Sequence, residues 1–395
     1  MGFITLLLTF SIASLPFALL VKVELGIITF TPYLLGVVVL IPFTFYRIFA
    51  GGAIYRFNKI DLMLLILCLN YFVSTLFAKD VIGSGYLSFH GIFIPAASYF
   101  VCKGLLTTEK EISFFIRWNI ISICVYLAIL IYTVFAAGFK GRAFLFDWDS
   151  IVQGTLAVFA IIFLIYGNYF QRKIFKWILL CIALLGLVVC FSRGYLILML
   201  FTPFLLIPMR RNRGKLVFVF LLTSTMFLTF FMAMNPEIVK PSKWDPKLEN
   251  STERLTNIDY WKFGIYSRLG SFKYSYNNFL KKPVFGSGLK RIGAGQEGST
   301  VHNVHMEWLE YGGIIGYISY ALVFFFLISR ANRYFHSDKT TIASVMILLV
   351  IWLNGLTNGF MHGVMPYIAF IVAGICEARV KQIEFEYFQK RESKI

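Results

Sequence analysis

The hydrophobic pattern along the chain is not the two-residue alternation of a half-buried strand, nor the one-sided stripe of a soluble amphipathic helix. Apolar residues run continuously for roughly 18 to 22 positions and then give way to short polar breaks. In lipid, a spanning segment must satisfy its own backbone hydrogen bonds, so each such run predicts a transmembrane helix. The runs predict about twelve, at approximately 3–22, 27–48, 60–78, 84–106, 114–138, 150–168, 175–191, 194–209, 216–234, 312–329, 341–358 and 361–377. The pair of helices around Ser192 is short and nearly continuous. The expected fold class is an all-α polytopic membrane protein. It divides into an N-terminal bundle of about nine helices over 1–234, a long polar loop with short helices over 235–311, C-terminal helices over 312–377 and a tail over 378–395.

Composition agrees with that pattern and excludes alternatives. Hydrophobic residues make up 58% and charged residues 14% of the 395. Too little polar surface remains to cover an aqueous globule, and disorder needs the opposite bias. The 43 Phe and 21 Tyr suit lipid-facing and interfacial positions. Cys68, Cys102, Cys124, Cys181, Cys190 and Cys376 all fall in or beside apolar runs without a CxxC pair, which reads as packing, with no disulfide framework or zinc site. Lys22 follows the first apolar run and no basic segment precedes it, the pattern of a first membrane helix, not a cleaved signal peptide.

The formal net charge is +17. In a soluble chain that would suggest nucleic acid. Here 21 Lys and Arg fall in one alternating set of loops and the tail, against 5 in the short loops of the other set. Positive loops stay inside, so this asymmetry predicts cytoplasmic termini and needs no nucleic-acid partner. The remaining 11 lie between Lys240 and Arg291, in a long loop predicted to be extracytoplasmic. Long loops cross regardless of charge. Within this loop, Tyr260 to Phe279 is aromatic-rich and suits a partly amphipathic helix lying on the membrane.

Candidate chemistry collects on that outer side. Phe191-Ser192-Arg193-Gly194 places an arginine at a membrane boundary, where it either snorkels or faces a polar cavity. His302-Asn303 stands where the long loop re-enters the membrane, followed by Gly313, Gly316 and Tyr317. A histidine there can act as general base near neutral pH, and the glycines would let the next helix pack closely. Arg268 offers a planar fork for phosphate oxygens. The turn Pro283-Val284-Phe285-Gly286-Ser287-Gly288 would bring backbone N–H groups toward an anion, or is an ordinary surface turn. Gly141-Arg142 precedes Asp147-Trp148-Asp149, an acidic pair in a short outer loop with weak metal-binding character. His305 shares a helical face with His302 but lacks a third ligand for zinc. Glu307 and Glu310 either orient His302 or are solvated, and His90, His336 and His362 read as structural.

Together these elements resemble the O-antigen ligase and polymerase superfamily. The resembling residues are Gly141-Arg142 with Asp147, Phe191-Ser192-Arg193-Gly194, Arg268, the Pro283–Gly288 turn, and above all His302-Asn303 with Gly313, Gly316 and Tyr317. The last resembles the ligases' His-Asn, nine-residue spacer, Gly-x-x-Gly signature. The motifs cover roughly 140 to 320, and Trp148-Asp149 departs from the family's Asp-Pro-Asn-like segment. The resemblance implies a metal-independent glycosyltransferase of the GT-C type without a cofactor, in a bacterial inner membrane, with its active site facing the periplasm. The donor would be a glycan on undecaprenyl diphosphate. The acceptor would be lipid A–core for a ligase, or another lipid-linked repeat unit for a polymerase; a protein O-glycosyltransferase is a further variant. His302, Arg193 and Arg268 would be catalytic, and Arg142, Ser192, Asn303, Gly286 and Gly288 would bind substrate. A flippase of the same lipid-linked glycan would need a charged central cavity and pseudo-symmetric halves, whereas the polar groups here gather on one face.

Overall fold

The computed structural model describes residues 2–18, 23–25, 28–50, 57–136, 150–190, 194–199, 275–289, 303–334, 338–355 and 365–392. Apart from one short hairpin, the regular elements among the described residues are helical. The helices are α1 (Phe3–Ala13), α2 (Pro32–Ala50), α3 (Lys59–Leu76), α4 (Val81–Ser88), α5 (Ile94–Leu105), α6 (Glu109–Ala136), α7 (Ser150–Tyr166), α8 (Lys173–Val189), α9 (Val304–Ala331), α10 (Lys339–Asn354) and α11 (Met365–Glu392). Among the described residues, four helical stretches are long and apolar enough to cross a membrane: Lys59–Leu76, Val81–Leu105, Glu109–Ala136 and Val304–Tyr334. The protein is therefore read as a multi-pass membrane protein.

Several boundaries differ from the expectation for physical reasons. The first apolar run is not one span: α1 stops at Ala13, a 3-10 turn carries Pro16, and β1 (Val23–Leu25) pairs antiparallel with β2 (Ile28–Phe30) before α2 begins. Pro16 has no N–H for an α-helical ladder. The run at 84–106 is α4 and α5 joined through a wider π-helical turn at Phe89–Phe93. The helix expected at 312 starts at Val304, inside the segment read as loop. The tail read from 378 continues α11 to Glu392. The runs expected at 194–209 and 216–234 lie outside the described residues beyond Met199, as does most of the long loop.

Lipid tails give apolar helices no hydrophobic reason to associate, so close packing and polar contacts must hold them. The two dominant helix pairs both use small residues. At Gly374 of α11, a Cβ would lie 2.7 Å from the Tyr99 carbonyl oxygen and from the Cys102 Cβ of α5. At Gly316 of α9, it would lie 2.8 Å from Nδ2 of Asn70 on α3. At Gly374 only glycine lets the two backbones come this close. At Gly316 the room that a side chain would need is taken by the Asn70 amide.

Ion pairs gather at one end of the bundle. Lys103 Nζ lies 2.6 Å from both carboxylate oxygens of Asp61, and the Tyr99 hydroxyl donates to Asp61 Oδ1 at 2.9 Å. Both Asp61 and Lys103 are buried. Asp61 also closes a capping box, accepting the Asn58 N–H at the start of α3. Arg330 joins Glu377 and Glu384, and Arg379 joins Asp338 and Glu109. The described cations of these ion pairs therefore gather at a single end of the bundle. Lys103, counted among the 21 loop and tail cations, is a buried partner of Asp61 within α5.

Candidate functional site

The opposite end of the bundle holds what is described of the predicted site. Asn303 is the N-cap of α9, and its Oδ1 accepts the N–H groups of His305 and Met306, each at 3.0 Å. An asparagine at this position satisfies two donors that no earlier turn can. The next residue, Val304, donates its N–H to the Gly355 carbonyl at the end of α10, at 2.7 Å. The start of α9 is thus pinned to the Asn354-Gly355 corner.

That corner also receives the other motif. Gly194 and Tyr195 open the described helical residues 194–199. The Tyr195 hydroxyl lies 2.6 Å from Oγ1 of Thr155 on α7, beside the Asn354 side chain. Tyr195, Thr155 and Asn354 are all fully buried. Two segments more than a hundred residues apart in sequence, Gly194-Tyr195 and Asn303-Val304, therefore meet at one helix end. Tyr195, Thr155 and Asn354 were not singled out in the sequence. The available signal was a hydrogen-bonding side chain inside an apolar run, which in a membrane needs an internal partner.

Ten residues into α9 the helix breaks. Gly313 adopts φ 62° and ψ −165°, a conformation essentially reserved for glycine. In an unbroken helix, Ile314 and Ile315 would donate to the carbonyls of Glu310 and Tyr311. Instead they donate to Pro283 and Val284, at 2.8 and 3.3 Å. The freed carbonyls of Glu310 and Tyr311 take the N–H groups of Ser287 and Gly288, at 2.9 and 3.1 Å. Asn70 Nδ2 fills the Gly312 carbonyl at 2.7 Å, and the Ser74 hydroxyl also donates to Tyr311 at 2.6 Å. An orphaned backbone group costs several kcal/mol in hydrocarbon. The Pro283–Gly288 turn and α3 thus repair the break almost bond for bond.

This pairing corrects one expectation. The N–H groups of Gly286, Ser287 and Gly288 go to the carbonyls of Lys282, Glu310 and Tyr311, so this turn braces α9 and does not offer those donors to an anion. A second correction concerns Glu307 and Glu310. Both are buried, not solvated, and Glu310 Oε1 accepts from Asn278 Nδ2 at 2.9 Å. His305 is also buried, with Nδ1 3.1 Å from the Tyr317 hydroxyl and its ring 5.1 Å from Trp352. Below these groups, Trp308 stacks on Tyr320 at 4.2 Å, and Tyr320 on Trp352 at 5.2 Å. Tyr71 meets Trp308 edge-on at 5.4 Å. The stack ties α3, α9 and α10 together beneath the site.

His302, Arg193, Arg268, Arg142 and Ser192 lie outside the described residues, together with Asp147 and Asp149. Of the predicted site, Asn303, Gly286 and Gly288 are described, and all three lie along the first turns of α9. No protein-family model and no curated protein matches this chain.

Proposed function

We propose that the chain is a metal-independent glycosyltransferase of the O-antigen ligase type, with the GT-C architecture and about twelve spans. It moves a glycan from undecaprenyl diphosphate to a hydroxyl of lipid A–core on the outer face of a bacterial inner membrane. The observation that carries this reading is the shared anchorage at Asn354-Gly355. Tyr195 is two residues past Arg193, and Val304 is two residues past His302. A base and a leaving-group stabiliser must come from one place in the fold, and the described flanks of the two motifs do.

In this reading the acceptor oxygen attacks the anomeric carbon as the bond to the diphosphate oxygen breaks. His302 takes the acceptor's proton. The diphosphate leaves as an anion, and Arg193 and Arg268, together with Arg142, neutralise its developing charge. In-line attack inverts the anomeric centre. Diphosphate is a competent leaving group without a nucleotide or a metal. The positive start of α9, facing the same end, adds a fixed dipole favouring anions.

The test is reconstitution. Purified protein is mixed with lipid-linked glycan and offered either lipid A–core or a second lipid-linked glycan. Transfer to lipid A–core supports the ligase. Chain extension on the lipid carrier makes the protein a repeat-unit polymerase, which shares donor and chemistry. Movement of glycan across vesicles without bond formation would replace both with a flippase.

A further inference from the structure

The end of the bundle remote from Asn303 contains a cavity of about 730 Å³. It is framed by the ends of α5 and α9 and by α11, level with the ends of the spanning stretches at Leu105 and Tyr334. On α11, Glu377, Lys381, Glu384 and Phe388 recur at helical spacing on the lining face. The volume falls in the range of small-molecule sites.

Glu377 sets the chemistry. Its Oε2 accepts from Arg330 at 2.7 Å and from Asn58 at 2.8 Å. Its Oε1 is buried and has no hydrogen-bond partner among the described residues. The residue itself is 0% exposed. A carboxylate oxygen in that state calls for a donor. On the wall, Lys103 is paired with Asp61, and Arg330 with Glu377 and Glu384. Carboxylates outnumber cations on the lining five to three, which favours an occupant that carries an ammonium group. Lys381 lies one turn beyond Glu377, and burial lowers its pKa to about 8. A phosphate ester beside it would favour its charged form. At the rim, Phe385, Tyr387 and Phe388 are 48%, 71% and 55% exposed, as aromatics at a membrane–water interface are.

We propose that this cavity holds the headgroup of an aminophospholipid, its primary ammonium donating to Oε1 of Glu377 and its phosphate set against Lys381, with acyl chains passing Phe385 and Phe388. The proposal is independent of the transferase reading, since it concerns the other end of the bundle.

Native mass spectrometry of the full chain in detergent tests it, with phosphatidylethanolamine, phosphatidylcholine and phosphatidylglycerol of matched acyl chains as probes. A trimethylammonium has no N–H to donate, so the ethanolamine lipid should be retained about tenfold better than the choline lipid. Glu377→Gln should bring that ratio to within about twofold. Lys381→Ala should weaken retention of both lipids while leaving their ratio high. Equal retention of the two zwitterionic lipids by the wild type, or a preference for phosphatidylglycerol, overturns the proposal. So does displacement of the lipid by equimolar soluble glycerophosphoethanolamine, which would assign the cavity to a soluble amine. The wild-type ratio and Lys381→Ala decide the matter even if Glu377→Gln does not fold.

Discussion

Gly286 and Gly313 are locked against each other: a Cβ on Gly286 would lie 2.5 Å from the Gly313 nitrogen, and a Cβ on Gly313 would lie 2.6 Å from the Gly286 nitrogen. Both have positive φ, 76° and 62°. Contact and conformation each exclude a side chain. Gly286→Ala and Gly313→Ala should therefore each cost more than about 1 kcal/mol of stability, read as a lower unfolding midpoint by tryptophan fluorescence in detergent. Gly85→Ala is the control. Its Cβ would meet only Thr75 Cγ2 at 3.7 Å, an ordinary contact, and Gly85 lies within helical α4. That variant should match or slightly exceed the parent, because alanine favours the helix.

The proposed chemistry predicts a different kind of loss. His302→Ala and Arg193→Ala should each abolish transfer while insertion and yield are unchanged. Chelators should leave transfer intact. Full activity of either variant in the purified assay contradicts its assigned role. Activity lost to EDTA and restored by magnesium would revive Asp147 and Asp149 as a metal site.

Tyr195→Phe tests whether the shared corner matters to that chemistry. It removes the hydroxyl that meets Thr155 and Asn354 while keeping the ring. The stability cost should be about 1 kcal/mol. If the corner sets the spacing of the two motifs, transfer should fall by more than the unfolding midpoint explains, measured at a temperature where the variant stays folded. Unchanged turnover would separate this contact from catalysis.

The spans most legible in the sequence are those where an apolar run is long and unbroken. The expected spans 60–78 and 150–168 correspond to α3 at Lys59–Leu76 and α7 at Ser150–Tyr166. Pro16 escaped because membrane helices tolerate proline when neighbours re-satisfy the backbone, so hydropathy alone ran through it. The start of α9 escaped because Glu307 and Glu310 look like loop residues until Asn278 and the folded bundle bury them. Gly286, Gly313 and Asn303 were legible as special positions. Their roles were not, because the exchange of backbone bonds between 283–288 and 310–315 is tertiary and leaves no local pattern.

Lys381 gives the stability a defined pH dependence. Burial, with repulsion from Lys103, lowers its folded pKa from 10.5 to about 8. Below pH 8 the ammonium is charged in both states, and the folded state carries the full desolvation cost. Between pH 8 and 10.5 the folded state releases its proton first, so the contribution of this group to stability rises with pH and levels off above. In lipid-free detergent, Lys381→Met should be more stable than the parent at pH 7 and should rise less steeply across that window. Parallel pH profiles for the two proteins would show that the lysine is not buried as described.

The Asp61–Lys103 pair predicts strong non-additivity. Both partners are buried, and Lys103 binds both oxygens of Asp61. Lys103→Met leaves the carboxylate with Tyr99 and the Asn58 N–H but without its ion-pair partner. Such an orphaned buried charge costs about 3 to 5 kcal/mol. Asp61→Asn strands the ammonium in the same way and also weakens the capping box at the start of α3. Removing both charges at once deletes the need for compensation. The double variant should therefore be more stable than Lys103→Met alone, because buried ion pairs are often replaced by apolar groups at little cost. Unfolding midpoints of the two single variants and the double variant supply the cycle. Simple addition of the two single losses would mean that water reaches this pair and screens it, and that the end of the bundle it occupies is open.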